Sequence, residues 1–234
     1  MAAVACGSED VAPAGIEPVG SPTVAIEDVQ RHAEQFDRDL RRRPAGSQQE
    51  FAAATYLLSH LQRAGYVVQL DYVPVADLVR STNVVAEAPE PPPAVVVVVA
   101  YDGTGGGAEL GSFLEIARAI RVRAPGHSVG FVAMGAEHAE VSGGLLGSRR
   151  LARRLLDDDL DPTIVELGTV RQGEPLVAAG DAARGFAASA GSGIETSPEM
   201  DIVWDRAGFD HVVISGDPTE LSAAVLGYLE GAAG

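Results

Sequence analysis

The sequence contains no lysine. All 17 of its basic residues are arginines, set against 33 acids, and the formal net charge is −16 over 234 residues. Without lysine there is no Schiff-base nucleophile and no P-loop amine to reach a nucleotide's phosphates. The acidic excess also argues against nucleic acid as a partner, because that affinity comes mostly from cations meeting phosphates. Arg41, Arg42 and Arg43 make the densest basic run, which reads as a solvated helix end or loop. Cysteine is almost absent, and Cys6 alone can build neither a disulfide framework nor a thiolate zinc site. No apolar run approaches the ~20 residues that span a bilayer. The longest, Ala94 to Ala100, is far shorter, so no transmembrane segment is expected.

What is present is an ordinary globular mixture, 46% hydrophobic and 21% charged. Residues 1–22 read as a flexible segment and 23–234 as one domain. Ala3-Val4-Ala5-Cys6-Gly7-Ser8 resembles the cleavage end of a bacterial lipoprotein signal, although no basic or apolar region precedes it. Either Met1 lies inside a longer signal, with residues 7–22 as a tether to the cell envelope or exterior, or this is a plain terminus of a cytoplasmic protein.

Apolar residues Ile26, Val29, Ala33, Phe36 and Leu40 recur at helical spacing, predicting a helix over 24–40. Ser47 to Glu50 reads as a capping box opening a helix that runs to Ala64, with Gly65 as its stop. Strands are predicted at 66–75, 82–86, 94–101, 129–134, 163–167 and 211–215, with a rigid turn at Pro89–Pro93. Helices are predicted at 108–122, 145–156, 202–207 and 221–229. Between Gly168 and Ile194 small residues dominate and no element is assigned. Strands alternating with helices predict a three-layer α/β/α sandwich around a central mixed, mostly parallel sheet. Sites in such sheets lie beyond the carboxyl ends of the strands, here at Asp102, at Glu137-His138 and around Leu167-Gly168.

Several segments, in order, resemble the M28 zinc aminopeptidases. Arg43-Pro44-Ala45-Gly46-Ser47 and Ala64-Gly65-Tyr66 look like the family's opening. Thr82-Asn83-Val84-Val85-Ala86, Val95 to Asp102 and Leu114-Glu115-Ile116-Ala117-Arg118-Ala119 look like its next strands and helix. Phe131 to Glu137, Gly144 to Arg149, and Ala207-Gly208 with His211 to Ile214 look like later ones. The resemblance implies a zinc-exopeptidase-like fold, two zinc ions and a carboxylate general base that takes a proton from metal-bound water.

The ligand set that the resemblance implies does not carry over. The first histidine falls on Ala100, leaving Asp102, whose family role is to orient that imidazole. The bridging aspartate falls on Gly105. The base and the ligand beside it fall on Glu137 and His138. The next aspartate falls on Gly168, or on Glu166 with the gap drawn differently, and no histidine follows His211. Asp102, His138 and Glu166 thus form a vestigial cluster, with Glu137 as a remnant general base. No cofactor is expected, zinc being the alternative.

Bland readings stand beside these. His138 suits a loop end, Asp102 a helix cap, and His211 a packed core position. Gly103 to Gly107 suits a helix-entry turn better than a phosphate loop. Ser192 and Ser197 have no convincing catalytic partners. The expected function is a pseudo-aminopeptidase kept as a binding or structural module, with a peptide or small molecule in the remnant cleft. The alternatives are a metal-free enzyme of cyclisation or acyl transfer using Glu137 and His138, and an active zinc aminopeptidase.

Overall fold

The computed structural model describes residues 20–88, 92–191, 193–197 and 203–232. Cys6 and most of its tether, Pro89 to Pro91, Ser192 and the start of the helix expected at Ile202 lie outside the described residues.

The fold is a three-layer α/β/α sandwich. β2 (Val67–Ala76) and β3 (Val79–Glu87) form an antiparallel hairpin at one edge. Next come β6 (Val129–Met134), β4 (Val95–Ala100), β7 (Thr163–Val170) and β10 (His211–Gly216), mutually parallel. β8 (Val177–Ala179) runs antiparallel to β10, and β9 (Glu195–Ser197) closes the far edge. The sheet order is β2-β3-β6-β4-β7-β10-β8-β9.

The valine run of β4 shows why the sheet is central. Val95, Val97 and Val99 face a core shared with α2 (Gln48–Arg63), α3 (Gly107–Arg123) and α7 (Pro218–Ala232). Val96 and Val98 face a second core with α4 (Leu146–Asp157) and with Trp204 of the short α6 (Trp204–Ala207). A strand buried on both faces needs apolar residues at every position rather than alternation.

The expected helix over 24–40 divides into α1 (Ile26–Glu34) and a wider π turn, Gln35–Asp39, that buries Phe36. α1 lies hard against α3. A Cβ at Gly107 would sit 2.6 Å from the Ala33 carbonyl oxygen, and one at Gly111 would collide with that of Val29. Both glycines therefore serve close backbone approach. Arg118 of α3 donates to the carbonyls of Ser21 and Thr23, fastening the chain where it enters the fold.

Two local expectations change. Ser47 caps α2 by accepting from the Glu50 amide at 3.1 Å, but Glu50 does not complete the box. Its buried carboxylate instead accepts from the Gly46 amide and the Ser81 hydroxyl. The Arg41–Arg43 run is not uniformly solvated, because Arg43 is 1% exposed. Arg42 and Arg43 form β1, which pairs antiparallel with β5 (Gly103–Thr104). Within the unassigned stretch lie β8 and α5 (Ala183–Ala190).

On α2, burial among His32, Tyr56 and Arg63 pushes the His60 imidazole down to about 4 from its ordinary 6.5. Between those values the unfolded chain takes up a proton that the folded chain refuses, so the contribution of neutral His60 is lost as pH falls. Urea unfolding at pH 7 and pH 4.5 should show wild type losing more stability than His60→Gln. Equal losses would remove His60 from the acid response.

Candidate functional site

β4 leads through α3, on one face of the sheet, to its neighbour β6. β6 leads through α4, on the opposite face, across to β7. The crossovers leave adjacent strands in opposite directions, and this switch point opens a crevice outside the carboxyl ends of β4 and β6. Asp102 and Glu137-His138 emerge there, two residues past Ala100 and three past Met134, where the register of the two strands ends.

Asp102 is buried and binds the neighbouring loop. Its two oxygens accept from the backbone amides of Glu137 at 3.0 Å and His138 at 2.9 Å. The His138 Nδ1 lies 3.2 Å from Asp102 Oδ1, and that hydrogen bond raises the imidazole above its ordinary range. The His138 side chain is 62% exposed, so the pair presents an orientated imidazole to solvent.

Glu137 points the other way. One oxygen accepts from the Ser148 amide at 2.7 Å and the other from the Ser148 hydroxyl at 2.5 Å. Ser148 stands in the first turn of α4, where amides lack intrahelical partners and the dipole favours an anion. Burial pushes the Glu137 carboxyl up, the Ser148 bonds oppose this only in part, and the Asp102 charge adds to the rise. The turn that aims Glu137 inward includes Ala136, a non-glycine residue at φ 57°. A Cβ at Gly147 would collide with the Gly135 carbonyl and approach Glu137 Oε1 to 2.8 Å, so α4 docks here through a glycine.

A second tier of buried polar groups holds the two loops. The Arg43 guanidinium donates to the carbonyls of Leu40, Tyr101 and Gly105, and stacks over Phe36 with 5.5 Å to the ring centroid. Asn83 accepts from the Gly135 amide at 3.1 Å and donates to the Gly147 carbonyl at 3.0 Å. Burial raises the Glu50 carboxyl beneath the same turn. Sequence reasoning missed Arg43, Glu50 and Ser148 as site-building residues. Arg43 and Ser148 both fall in the segments that resembled the M28 family, which was the one signal that pointed to them.

The remaining positions fall as follows. Gly105 has φ 80°, and a Cβ built on it meets nothing within 4 Å, so the space beside it is open. At Gly168 a Cβ would collide with the Ser215 hydroxyl. Glu166 lies inside β7 opposite Val98, and that strand extends to Val170, three residues past its expected end. Its carboxylate accepts from the Trp204 indole at 3.1 Å, on the face occupied by α4 and α6. The rim therefore gathers Asp102, Glu137 and His138, while Glu166 is engaged in the second core. A cavity of about 600 Å³ adjoins the rim at Thr104 and is lined by Arg38, Asp39, Arg41, Arg42, Ser47 and Gln49, with Arg38 paired to Asp39. No helix among the described residues is long and apolar enough to cross a membrane.

The layers, strand order and switch-point crevice match an α/β exopeptidase-like fold. Solved structures narrow it to an M28-like fold. The LapA aminopeptidase of Legionella pneumophila superposes with a TM-score of 0.73 at 14% identity, covering 90% of this chain and 73% of LapA. A Zn-dependent exopeptidase from Parabacteroides distasonis gives 0.71 at 15% identity, covering 92% and 99% of the two chains. The glutaminyl cyclase of Bacteroides thetaiotaomicron, solved with N-acetylhistamine, gives 0.72 at 16% identity, covering 92% and 98%. At such identities the likeness is one of fold. No protein-family model and no curated protein matches the sequence.

Proposed function

We propose that this chain is a non-catalytic member of the zinc-exopeptidase fold, a pseudo-aminopeptidase retained as a binding or structural module. The observation that carries the reading is the engagement of Glu137. Both of its oxygens accept from Ser148, so the buried carboxylate is engaged at the amino terminus of α4. Zinc needs three or four protein ligands. Asp102 spends both oxygens on backbone amides, and Ala100 and Gly105 offer no donor side chain. His138 alone stays exposed, and this set does not fit the two-zinc centre that the fold implies. The open space beside Gly105 and the arginine-lined cavity next to it suit a peptide or small molecule carrying an anionic group.

Metal analysis tests the reading. Whatever zinc the purified protein carries should be unchanged by His138→Ala. A stoichiometric ion lost with that substitution would overturn it, by placing a metal on the rim.

One observation favours a second reading, that of a metal-free acid–base enzyme. The Asp102–His138 pair is built as an orientated proton acceptor open to solvent. Fold relatives that include glutaminyl cyclases make cyclisation of an amino-terminal glutamine the reaction to assay, an analogy of fold alone. Formation of pyroglutamyl product that His138→Ala abolishes would establish this reading over the first.

A further inference from the structure

We infer that Asp181, Asp205 and His211 form a binding site for one divalent transition ion of the zinc class, at the opposite rim of the sheet from Asp102 and Glu137. The site is independent of the non-catalytic reading above. His211 opens β10 and pairs with Ile164 near the start of β7, so it marks the amino-terminal ends of the parallel strands. Asp181 lies just past the end of β8, which runs the other way and therefore finishes at this rim. Asp205 sits in α6, immediately before β10.

His211 supplies the evidence for a missing partner. It is 1% exposed, and neither ring nitrogen makes a hydrogen bond among the described residues. A buried polar group without a partner is uncommon, and one aimed into a set of carboxylates points to an ion as its partner. Nδ1 lies 3.3 Å from Asp181 Oδ1 and 3.7 Å from Asp205 Oδ1. One donor atom from each residue falls within 4.8 Å of the others. Zinc bonds of about 2.0–2.1 Å give a tetrahedral ligand-to-ligand edge of about 3.4 Å, so the Asp181 separation is close to that edge and Asp205 would close in by a few tenths of an ångström on binding.

The surroundings favour binding. The amides of Ala182 and His211 both donate to Asp181 Oδ1 at 2.8 Å, which orientates the carboxylate and, unlike at Asp102, leaves its second oxygen without an amide donor among the described residues and able to bind an ion. The Asp181 and Asp205 side chains are 50% and 30% exposed, so the ion can enter from solvent and keep water in its remaining position. One imidazole with two carboxylates suits zinc and its first-row neighbours, whereas magnesium and calcium take oxygen ligands almost alone. The ion would join the end of β8, α6 and the start of β10. An ion held by all three would tie them together, so binding should register as stability.

The test uses protein stripped with a chelator and dialysed, titrated with zinc alone by calorimetry and by thermal unfolding. One zinc per chain is expected, raising the unfolding midpoint by about 5–10 °C at a hundredfold excess over Kd. Asp205→Ala should weaken binding at least tenfold while leaving the metal-free midpoint near wild type. Asp181→Asn should also weaken it, and His138→Ala should not. Magnesium and calcium should leave the midpoint unmoved. Absence of zinc binding by the folded protein would overturn the site, since His211 would then be only a buried side chain packed beside two acids. Binding that survives both Asp205→Ala and Asp181→Asn, or an equal response to magnesium, would overturn it too.

Discussion

Arg43→Ala should cost about 3–5 kcal/mol of unfolding free energy. The guanidinium is buried and donates to the carbonyls of Leu40, Tyr101 and Gly105. Burial presses its pKa down, and the charges of Asp37 and Asp102 oppose the fall. Truncation strips buried carbonyl acceptors of their donor, and each costs about 1–3 kcal/mol when left unmet. It also empties the volume over Phe36 and leaves Asp102 without its nearby cation. Arg43→Lys should recover little, because an ammonium on a flexible stem cannot fork to several carbonyls in one plane. Urea unfolding of the two variants measures both effects. A loss below about 1 kcal/mol for Arg43→Ala would mean that water already satisfies these carbonyls.

Asp102→Ala should cost about 2–4 kcal/mol, because it orphans the amides of Glu137 and His138 together. Asp102→Asn keeps an acceptor oxygen and should cost about half as much. The same substitution removes the charge and weakens the charge-assisted hydrogen bond that together raise His138, so the imidazole should titrate lower than in wild type. Proton NMR of His138 follows that shift separately from stability. An unchanged titration in Asp102→Asn would show that the pair is not formed in solution.

These effects share an origin in the switch-point crevice, and its outline was legible before the coordinates. β6 ends where its apolar run placed it, and β4, whose five consecutive valines follow a run of prolines and leave few alternatives, differs by a residue at either end. The stretch 168–194 was opaque for the opposite reason. β8 is three residues long and α5 is made largely of alanine, so neither carries a hydrophobic period. The π turn after α1 keeps Phe36 inward, so the apolar spacing cannot distinguish it from continued helix.

Side-chain roles were harder to read than elements. Arg43 was read as solvated because its neighbours are arginines, and only the β1–β5 pairing carries it inward. Glu137 was placed at the mouth of the correct strand, but its direction depends on the positive φ of Ala136 and on the glycine contact of α4, neither of which has a local signature. His211 is packed as expected for an apolar strand. The carboxylates that flank it come from residues 30 and 6 positions earlier in the chain, and only the tertiary fold brings them there.

The engagement of Glu137 by Ser148 is the claim on which the functional reading turns. The most direct measurement is hydrolysis of aminoacyl chromogenic substrates by wild type and Glu137→Gln, each with and without added zinc or cobalt. The expected result is no turnover above background for either protein under any condition. Metal-dependent turnover by wild type that Glu137→Gln abolishes would contradict it, because the carboxylate would then be working as a base rather than capping α4.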